Sequence, residues 1–263
     1  METRLYAFRR AKTRPGYRKI EAEVYMPAAH EAFVPNAPKC AIYAYVAVER
    51  PGGGGEFGLT IQPVSSGGRW VVLVYRSIPG LSPSWAFITG DDGRLIELPA
   101  GRTYRLVAAA DDGMYRTWVY DAAGNRLVYR EWRTGVSKIG PDQHVRRVAS
   151  LFTAPGVRAY GTVRWRNVTV GTPSETRPMG PADLEGGAPE NRTGPPGYED
   201  DWIRVTTYRA YSDEDVTMDI TGLRSNLAAG AAVAASPFAA IAAARLLERW
   251  SPLAGLLGAI LPP

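Results

Sequence analysis

The segment Tyr115–Trp132, YRTWVYDAAGNRLVYREW, decides the class of fold. Two runs rich in aromatic and β-branched residues flank Asp-Ala-Ala-Gly-Asn, in which Gly124 and Asn125 tolerate the positive φ angles of a tight reversal. The spacing predicts an antiparallel hairpin. Similar short runs between turn residues recur from Tyr17 to Thr172, with no long helical period among them. This pattern is typical of an antiparallel β-sandwich.

We predict a mainly β domain over residues 18–172. Its predicted strands are Arg18–Met26, Ala41–Glu49, Phe57–Val64, Trp70–Ser77, Trp85–Thr89, Arg94–Leu98, Thr103–Ala110, Tyr115–Asp121, Arg126–Trp132, Val145–Thr153 and Ala159–Gly171. Residues 1–17 are interpreted as an N-terminal extension of this domain.

Two further segments follow the domain. Residues 173–201 are rich in Pro, Gly and charge and have few large apolar side chains. Such a segment cannot offset the entropy of its own folding, so we predict a linker or a loosely pinned surface loop. Residues 202–222 alternate apolar and polar side chains, which predicts an added strand or strap.

Residues 223–263 form a tail that is rich in Ala, and they are predicted to be helical. Ser236-Pro237 and Ser251-Pro252 each place a capping hydroxyl before a proline at the first helical position. Residues 227–244 carry no charge, but Ala contributes little to membrane insertion. We therefore favour packing on the sandwich or on another subunit over a membrane span, and membrane contact remains an alternative.

Charge and composition exclude several function classes. The net charge is +5, and the 27 Arg and 4 Lys are spread over the chain, whereas a nucleic-acid site would cluster them. With one cysteine, Cys40, and two histidines, His30 and His144, we expect no metal site and no cofactor. The basic N-terminus lacks the apolar core of a signal peptide, so the sequence does not fix the compartment.

The order of the strands resembles the concanavalin A-like, or jelly-roll, β-sandwich and, within it, the glutamic peptidases (eqolisins). The segments that carry the resemblance are IEAEVYMP (20–27), AIYAYVAVE (41–49), VLVYRSIPG (72–80), the meander 98–132 and YGTVRWRNVTVG (160–171). Eqolisins use a Gln and a Glu on neighbouring strands, the Glu as general acid and base. The resemblance places the Gln near Phe57 and the Glu at Ser150, so it implies a chain without the catalytic pair. It also suggests an extracellular or cell-surface location.

Strand alternation predicts a candidate groove. It places Phe57, Leu59 and Ile61 on the same sheet face as Arg146 and Ser150 of the neighbouring strand. The predicted ligand-binding residues are Trp70, Tyr75, Trp85, Arg146 and Ser150, with Trp132 as a further border. Their rings would stack on sugars or peptide side chains while Arg146 holds a polar group. The alternative is that these side chains belong to the core.

Three functions remain open. We favour a non-catalytic recognition module whose ligand is a carbohydrate or an extended peptide. The second is a structural or assembly protein that acts through residues 223–263, by self-association or at a membrane. The third is a hydrolase whose carboxylates have moved to Glu21, Glu23 or Glu131. Glu21 and Glu23 have the alternate spacing of sandwich glycosidases, although we favour an exposed strand face as their explanation.

Overall fold

The computed structural model describes residues 4–35, 40–50, 53–61, 69–77, 84–111, 113–133, 142–172, 174–195 and 201–220. Within these residues the strands are β1 (Leu5–Lys12), β2 (Lys19–Met26), β3 (Ala41–Arg50), β4 (Gly53–Ile61), β5 (Arg69–Ser77), β6 (Ser84–Phe87), β7 (Glu97–Pro99), β8 (Arg102–Asp111), β9 (Met114–Tyr120), β10 (Arg126–Arg133), β11 (His144–Thr153), β12 (Ala159–Gly171), β13 (Thr176–Pro178), β14 (Glu190–Gly194), β15 (Ile203–Arg209) and β16 (Asp213–Ile220). Two 3-10 helices occupy Pro181–Asp183 and Glu185–Gly187.

The strands form two antiparallel sheets. The first sheet has the order β14-β1-β11-β3-β4-β5-β6, with β7 beside β5, and the second has the order β10-β9-β8-β2-β12-β16-β15, with β13 beside β12. In β2 and β16 buried side chains alternate strictly with half-exposed ones, as expected for strands with one face on a core. The core lies between the sheets and includes the fully buried Trp70 and Trp165. The predicted mainly β sandwich is confirmed.

The register of the first sheet positions the candidate site. Arg146 of β11 lies opposite Ala47 of β3, which in turn lies opposite Glu56 of β4. Residues directly opposite each other share a sheet face, and neighbours along a strand point to opposite faces. Arg146 and Ser150 therefore lie on the outer face of the first sheet, away from the second sheet, whereas Arg147 points into the core.

The N-terminal segment differs from the predicted extension. Leu5–Lys12 is β1, which lies inside the first sheet between β11 and β14. Leu5, Ala7 and Ala11 are fully buried on its core side. The many basic residues of LYAFRRAK mask this alternation, because Arg9 occupies a core-facing position.

Residues 174–195 also differ from the predicted linker. They contain β13, both 3-10 helices and β14, which pairs with β1 as an edge strand. Asp183 is fully buried and accepts hydrogen bonds from Tyr17 Oη, from Arg177 and from Gly180 N (2.8 Å). Polar contacts within the segment and with the distant Tyr17 thus hold a segment that has few large apolar side chains.

Residues 203–220 form β15 and β16, a hairpin that extends the second sheet. The predicted helical tail, residues 223–263, lies outside the described residues. Among the described residues, no helix is long and apolar enough to cross a membrane.

Candidate functional site

The outer face of the first sheet carries a buried group of charges, here named the Arg146 cluster: Arg146 of β11, Glu49 of β3 and Glu56 of β4. Arg146 Nη2 donates to Glu56 Oε1 and lies 2.6 Å from Glu49 Oε1. The Arg146 and Glu56 side chains are 3% and 5% exposed, whereas Glu49 is 19% exposed. The sheet register brings the three together although Glu56 and Arg146 are 90 positions apart in the chain.

The two carboxyl groups differ in acidity. Burial, with a smaller contribution from Glu49, raises the pKa of Glu56 to about 7 against the opposing effect of Arg146. Burial also acts to raise the pKa of Glu49, but Arg146 and His144 outweigh it and hold that pKa below its ordinary value. His144 Nε2 lies 3.0 Å from Glu49 Oε2. Glu49 is therefore ionised at neutral pH, whereas the pKa of Glu56 lies close to neutral pH.

Aromatic side chains lie beside this cluster on the same face. Tyr6 and Phe8 of β1, Phe152 of β11 and Tyr43 of β3 form what we name the aromatic row. Ring centroids are 6.1 Å apart for Tyr6 and Phe8, 6.4 Å for Tyr6 and Phe152, and 5.8 Å for Tyr43 and Phe152. The last two pairs are tilted by 41° and 77°. Tyr6 and Phe8 are nearly parallel, at 18°, so the row combines one parallel pair with two inclined pairs and is not flat throughout.

Arginine side chains border the aromatic row. The Arg4 guanidinium lies 5.7 Å from the Phe152 ring centroid, and those of Arg10 and Arg192 lie 6.0 and 5.8 Å from the Phe8 ring centroid. These distances are within the range of cation–π attraction. The outer face therefore offers apolar rings, cations and carboxylates within a few strands.

Three of the predicted ligand-binding residues lie on this face. Arg146 is the centre of the cluster, Ser150 lies opposite Phe8 and Tyr43, and Tyr75 of β5 lies opposite Glu56. Trp85 lies opposite Tyr75 in β6, but its side chain is outside the described part of the structure.

The predicted position of Trp70 at the border of a ligand site is wrong. Its ring is fully buried between the sheets, and its Nε1 donates to Pro27 O at 3.4 Å. Phe57 and Leu59 are also fully buried core residues, on the face opposite to Arg146. The predicted register of β4 was wrong by one residue, and a shift of one residue moves every side chain to the other face. Glu56 takes the place that had been given to Phe57.

Glu49 and Glu56 are the site residues that the sequence prediction missed. In AIYAYVAVE the positions of Tyr43, Tyr45 and Glu49 alternate with buried Ile42, Ala44, Val46 and Val48, and this alternation places Glu49 on the aromatic face. The alternation within β3 could therefore have identified Glu49, whereas its proximity to Arg146 and Glu56 depends on the register of three strands.

The carboxylates proposed for a relocated hydrolase site do not converge. Glu21 lies on β2 next to Lys19 and Arg105, and Glu23 accepts a hydrogen bond from Asn167. Glu131 lies on β10, which is separated from β2 by β8 and β9. In the part of the chain that the structure describes, no group of three or more His, Cys, Asp or Glu residues could hold a metal ion.

A separate pocket of about 240 Å³ opens at the lateral edge of the sandwich, near β6 and β10. Trp132, Glu131 and Arg130 line one side of it, and Val74 and Ile88 lie among the residues of the other. Trp132 thus borders this edge pocket and does not take part in the outer face of the first sheet.

No family model and no curated protein matches the sequence. Among solved structures, scytalido-glutamic peptidase with a peptide-based transition-state analogue is similar, with a TM-score of 0.54 and 8% identity over 84% of this chain and 100% of that chain. SCP-B, a member of the eqolisin family in complex with the tripeptide Ala-Ile-His, is also similar. Its TM-score is 0.53 and its sequence identity is 8%, over 84% of this chain and 100% of that chain. At this identity the likeness concerns the fold. The two-sheet sandwich is the fold of the glutamic peptidases, the eqolisins.

Proposed function

We propose that this protein is a non-catalytic recognition module that binds an extended peptide along the outer face of the first sheet. The observation that carries the proposal is that the Arg146 cluster and the aromatic row share one sheet face, with Arg146 and Phe152 six residues apart along β11. Inclined rings provide spaces for apolar side chains, and Glu49, which is the most exposed member of the cluster at 19%, provides an acceptor for a polar group of the ligand.

The ring geometry favours a peptide over a sugar. A sugar ring stacks on the flat face of an aromatic side chain, and several coplanar rings suit an oligosaccharide. In the aromatic row, Tyr43 and Phe152 meet edge to face at 77°. Solved structures with this fold also hold peptides or peptide-based analogues.

The bonding of the two carboxyl groups supports a role without catalysis. Both Glu49 and Glu56 are tied to the same guanidinium nitrogen of Arg146. A general acid or base must reach the proton of its substrate. Each of these carboxyl groups is instead engaged with a permanent cation that is itself buried.

A peptide-library array with the intact protein tests the proposal. We expect the Phe152→Ala variant to lose at least about tenfold in affinity for the selected peptides, because a central aromatic contact is removed. Tyr208→Ala is the matched control, since Tyr208 is an aromatic residue that is 61% exposed on the second sheet. Peptide affinity that is equal in both variants contradicts the proposal.

A glycan array with the same three proteins separates the alternatives. Glycan binding that is lost with Phe152→Ala, together with an absence of peptide binding, would replace the peptide with a carbohydrate. The assembly role of residues 223–263 is tested by their deletion. If it operates, deletion changes oligomer size or membrane association, whereas peptide binding stays unchanged.

A further inference from the structure

A second buried group of charges lies on the core side of the first sheet. Arg9 of β1 and Arg147 of β11 both bond to Glu214 of β16, with Arg9 Nε 2.8 Å and Arg147 Nη2 2.5 Å from Glu214 Oε2. Arg147 and Glu214 are fully buried, and Arg9 is 7% exposed. We name these three residues the core arginine cluster.

The hydrogen bonds of this cluster are incomplete. Arg9 Nη1 donates to Asn191 Oδ1 at 2.9 Å, and Arg147 Nη2 also donates to Tyr211 O at 3.0 Å. Arg147 Nε and Nη1 have no acceptor among the described residues, and neither has Trp165 Nε1. The Arg147 guanidinium lies 5.6 Å from the Trp165 ring centroid. Three buried nitrogen atoms, which together carry four N–H groups, therefore lack an acceptor among the described residues.

The charges of the cluster do not balance. Burial acts to raise the pKa of Glu214, but the two arginines outweigh it and hold that pKa at about 2, so the carboxylate is ionised. Two guanidinium groups thus share one negative charge. Burial lowers the pKa of Arg147, which is the direction expected for a cation with too little compensation. A buried charge without a counter-charge is strongly unfavourable.

The backbone around the cluster adopts uncommon conformations. Asn167 and Tyr211 are non-glycine residues with positive φ, of 50° and 63°. They lie close to each other, since Val168 N donates to Ser212 O at 3.2 Å. The carbonyl of Tyr211 is one of the acceptors of Arg147. Tyr211, whose carbonyl accepts from Arg147, therefore has an uncommon backbone conformation beside the orphan donors, whereas Asn tolerates positive φ.

We propose that Arg147 and Trp165 bind a small monatomic anion, chloride under ordinary conditions, between the two sheets. A water molecule would satisfy donors but leave the charge unbalanced, whereas a halide does both. Arg147, Trp165 and Glu214 are fully buried, which favours an ion without substituents over a larger anionic ligand. This site is independent of the ligand proposed for the outer face.

Bromide soaking with anomalous diffraction, combined with thermal unfolding, tests the proposal. We expect an anomalous peak within hydrogen-bonding distance of Arg147 and Trp165. At constant ionic strength, with methanesulfonate replacing chloride, Tm should rise by about 3–5 °C for each tenfold increase in chloride above the dissociation constant. Arg147→Met should abolish this dependence, and Arg166→Met, which alters a half-exposed arginine paired with Asp215, should preserve it.

Equal Tm values in chloride and methanesulfonate would overturn the proposal, as would a water molecule at the site without an anomalous peak. A bromide peak without any chloride dependence would mean binding at crystal concentration only, and it would also overturn the proposal. If Arg147→Met does not fold, the two measurements on the unaltered protein decide the question.

Discussion

Arg146 and Arg147 are neighbours in β11, yet they occupy opposite electrostatic environments. Arg146 points outward and lies between two carboxyl groups, Glu49 and Glu56. Arg147 points into the core and shares the single carboxylate of Glu214 with Arg9. The alternation of a strand thus places one arginine between two carboxyl groups and the next in a group of two arginines that share one carboxylate. Identical side chains at adjacent positions are expected to respond very differently to substitution.

The largest effect is expected for Glu214→Gln. Among the described residues, Glu214 is the one carboxylate that bonds to both Arg9 and Arg147, so its loss should lower the free energy of unfolding by about 3–5 kcal/mol. Asp215→Asn is the matched control, because Asp215 is the next residue and pairs with Arg166 on the other face. Asp215→Asn should lower the free energy of unfolding by less than about 1 kcal/mol. Denaturant unfolding of both variants checks the prediction, and equal losses would contradict it.

Arg146→Met and Arg147→Met form the second comparison. Loss of Arg146 leaves Glu49 and Glu56 without their cation, which should cost about 2–4 kcal/mol at pH 7.5 and less at pH 5.5. In chloride-free buffer, loss of Arg147 leaves the neutral Arg9–Glu214 pair, so the free energy of unfolding should change by less than about 1 kcal/mol. Equilibrium unfolding at both pH values measures the two effects. If Arg147→Met lowers the free energy of unfolding more than Arg146→Met does, the proposed difference between the two environments is wrong.

The effect of pH on the free energy of unfolding should be smaller than the effects of these substitutions, and it should come from Glu56 on the outer face of the first sheet. The folded pKa of Glu56 is raised from 4.5 to about 7, so the native state binds the proton more tightly than the unfolded chain. Its contribution is present below about pH 4.5 and is lost as the pH rises through about 7. The lowered pKa values of Glu49 and Glu214 act below this window, where their contribution falls as the pH decreases.

Comparison of the unaltered protein with Glu56→Gln isolates this effect. Between pH 5 and pH 7.5 the unaltered protein should lose about 1–3 kcal/mol more stability than the variant. Urea unfolding at a series of pH values provides the measurement. Parallel curves for the two proteins would mean that Glu56 does not titrate in this range.

Sequence reasoning located most strands because their local pattern is sufficient. The hairpin Tyr115–Trp132 and the alternating KIEAEVYM of β2 need no knowledge of their partners. The strand β1 escaped detection because its core-facing Arg9 is neutralised by Glu214, which is 205 positions away. Such a compensating contact is a property of the tertiary fold.

The candidate site was predicted in part for the same reason. The alternation of β11 alone predicts that Arg146 and Ser150 share a face, and they do so in the structure. Their partners on β4 depend on the cross-strand register, and an error of one residue replaced the acidic Glu56 with the core residue Phe57. The likeness to eqolisins indicated the fold, whereas the bonding of Glu49 and Glu56 to Arg146 emerged only from the register.

Photo-crosslinking of the best array peptide tests most directly whether the outer face of the first sheet binds the ligand. Benzoylphenylalanine would replace Phe152 in one protein and Tyr208 in another, and each would be irradiated with the labelled peptide. The account predicts that position 152 crosslinks to the peptide and that unlabelled peptide competes, whereas position 208 does not crosslink. Crosslinking at position 208 with none at position 152 would contradict it.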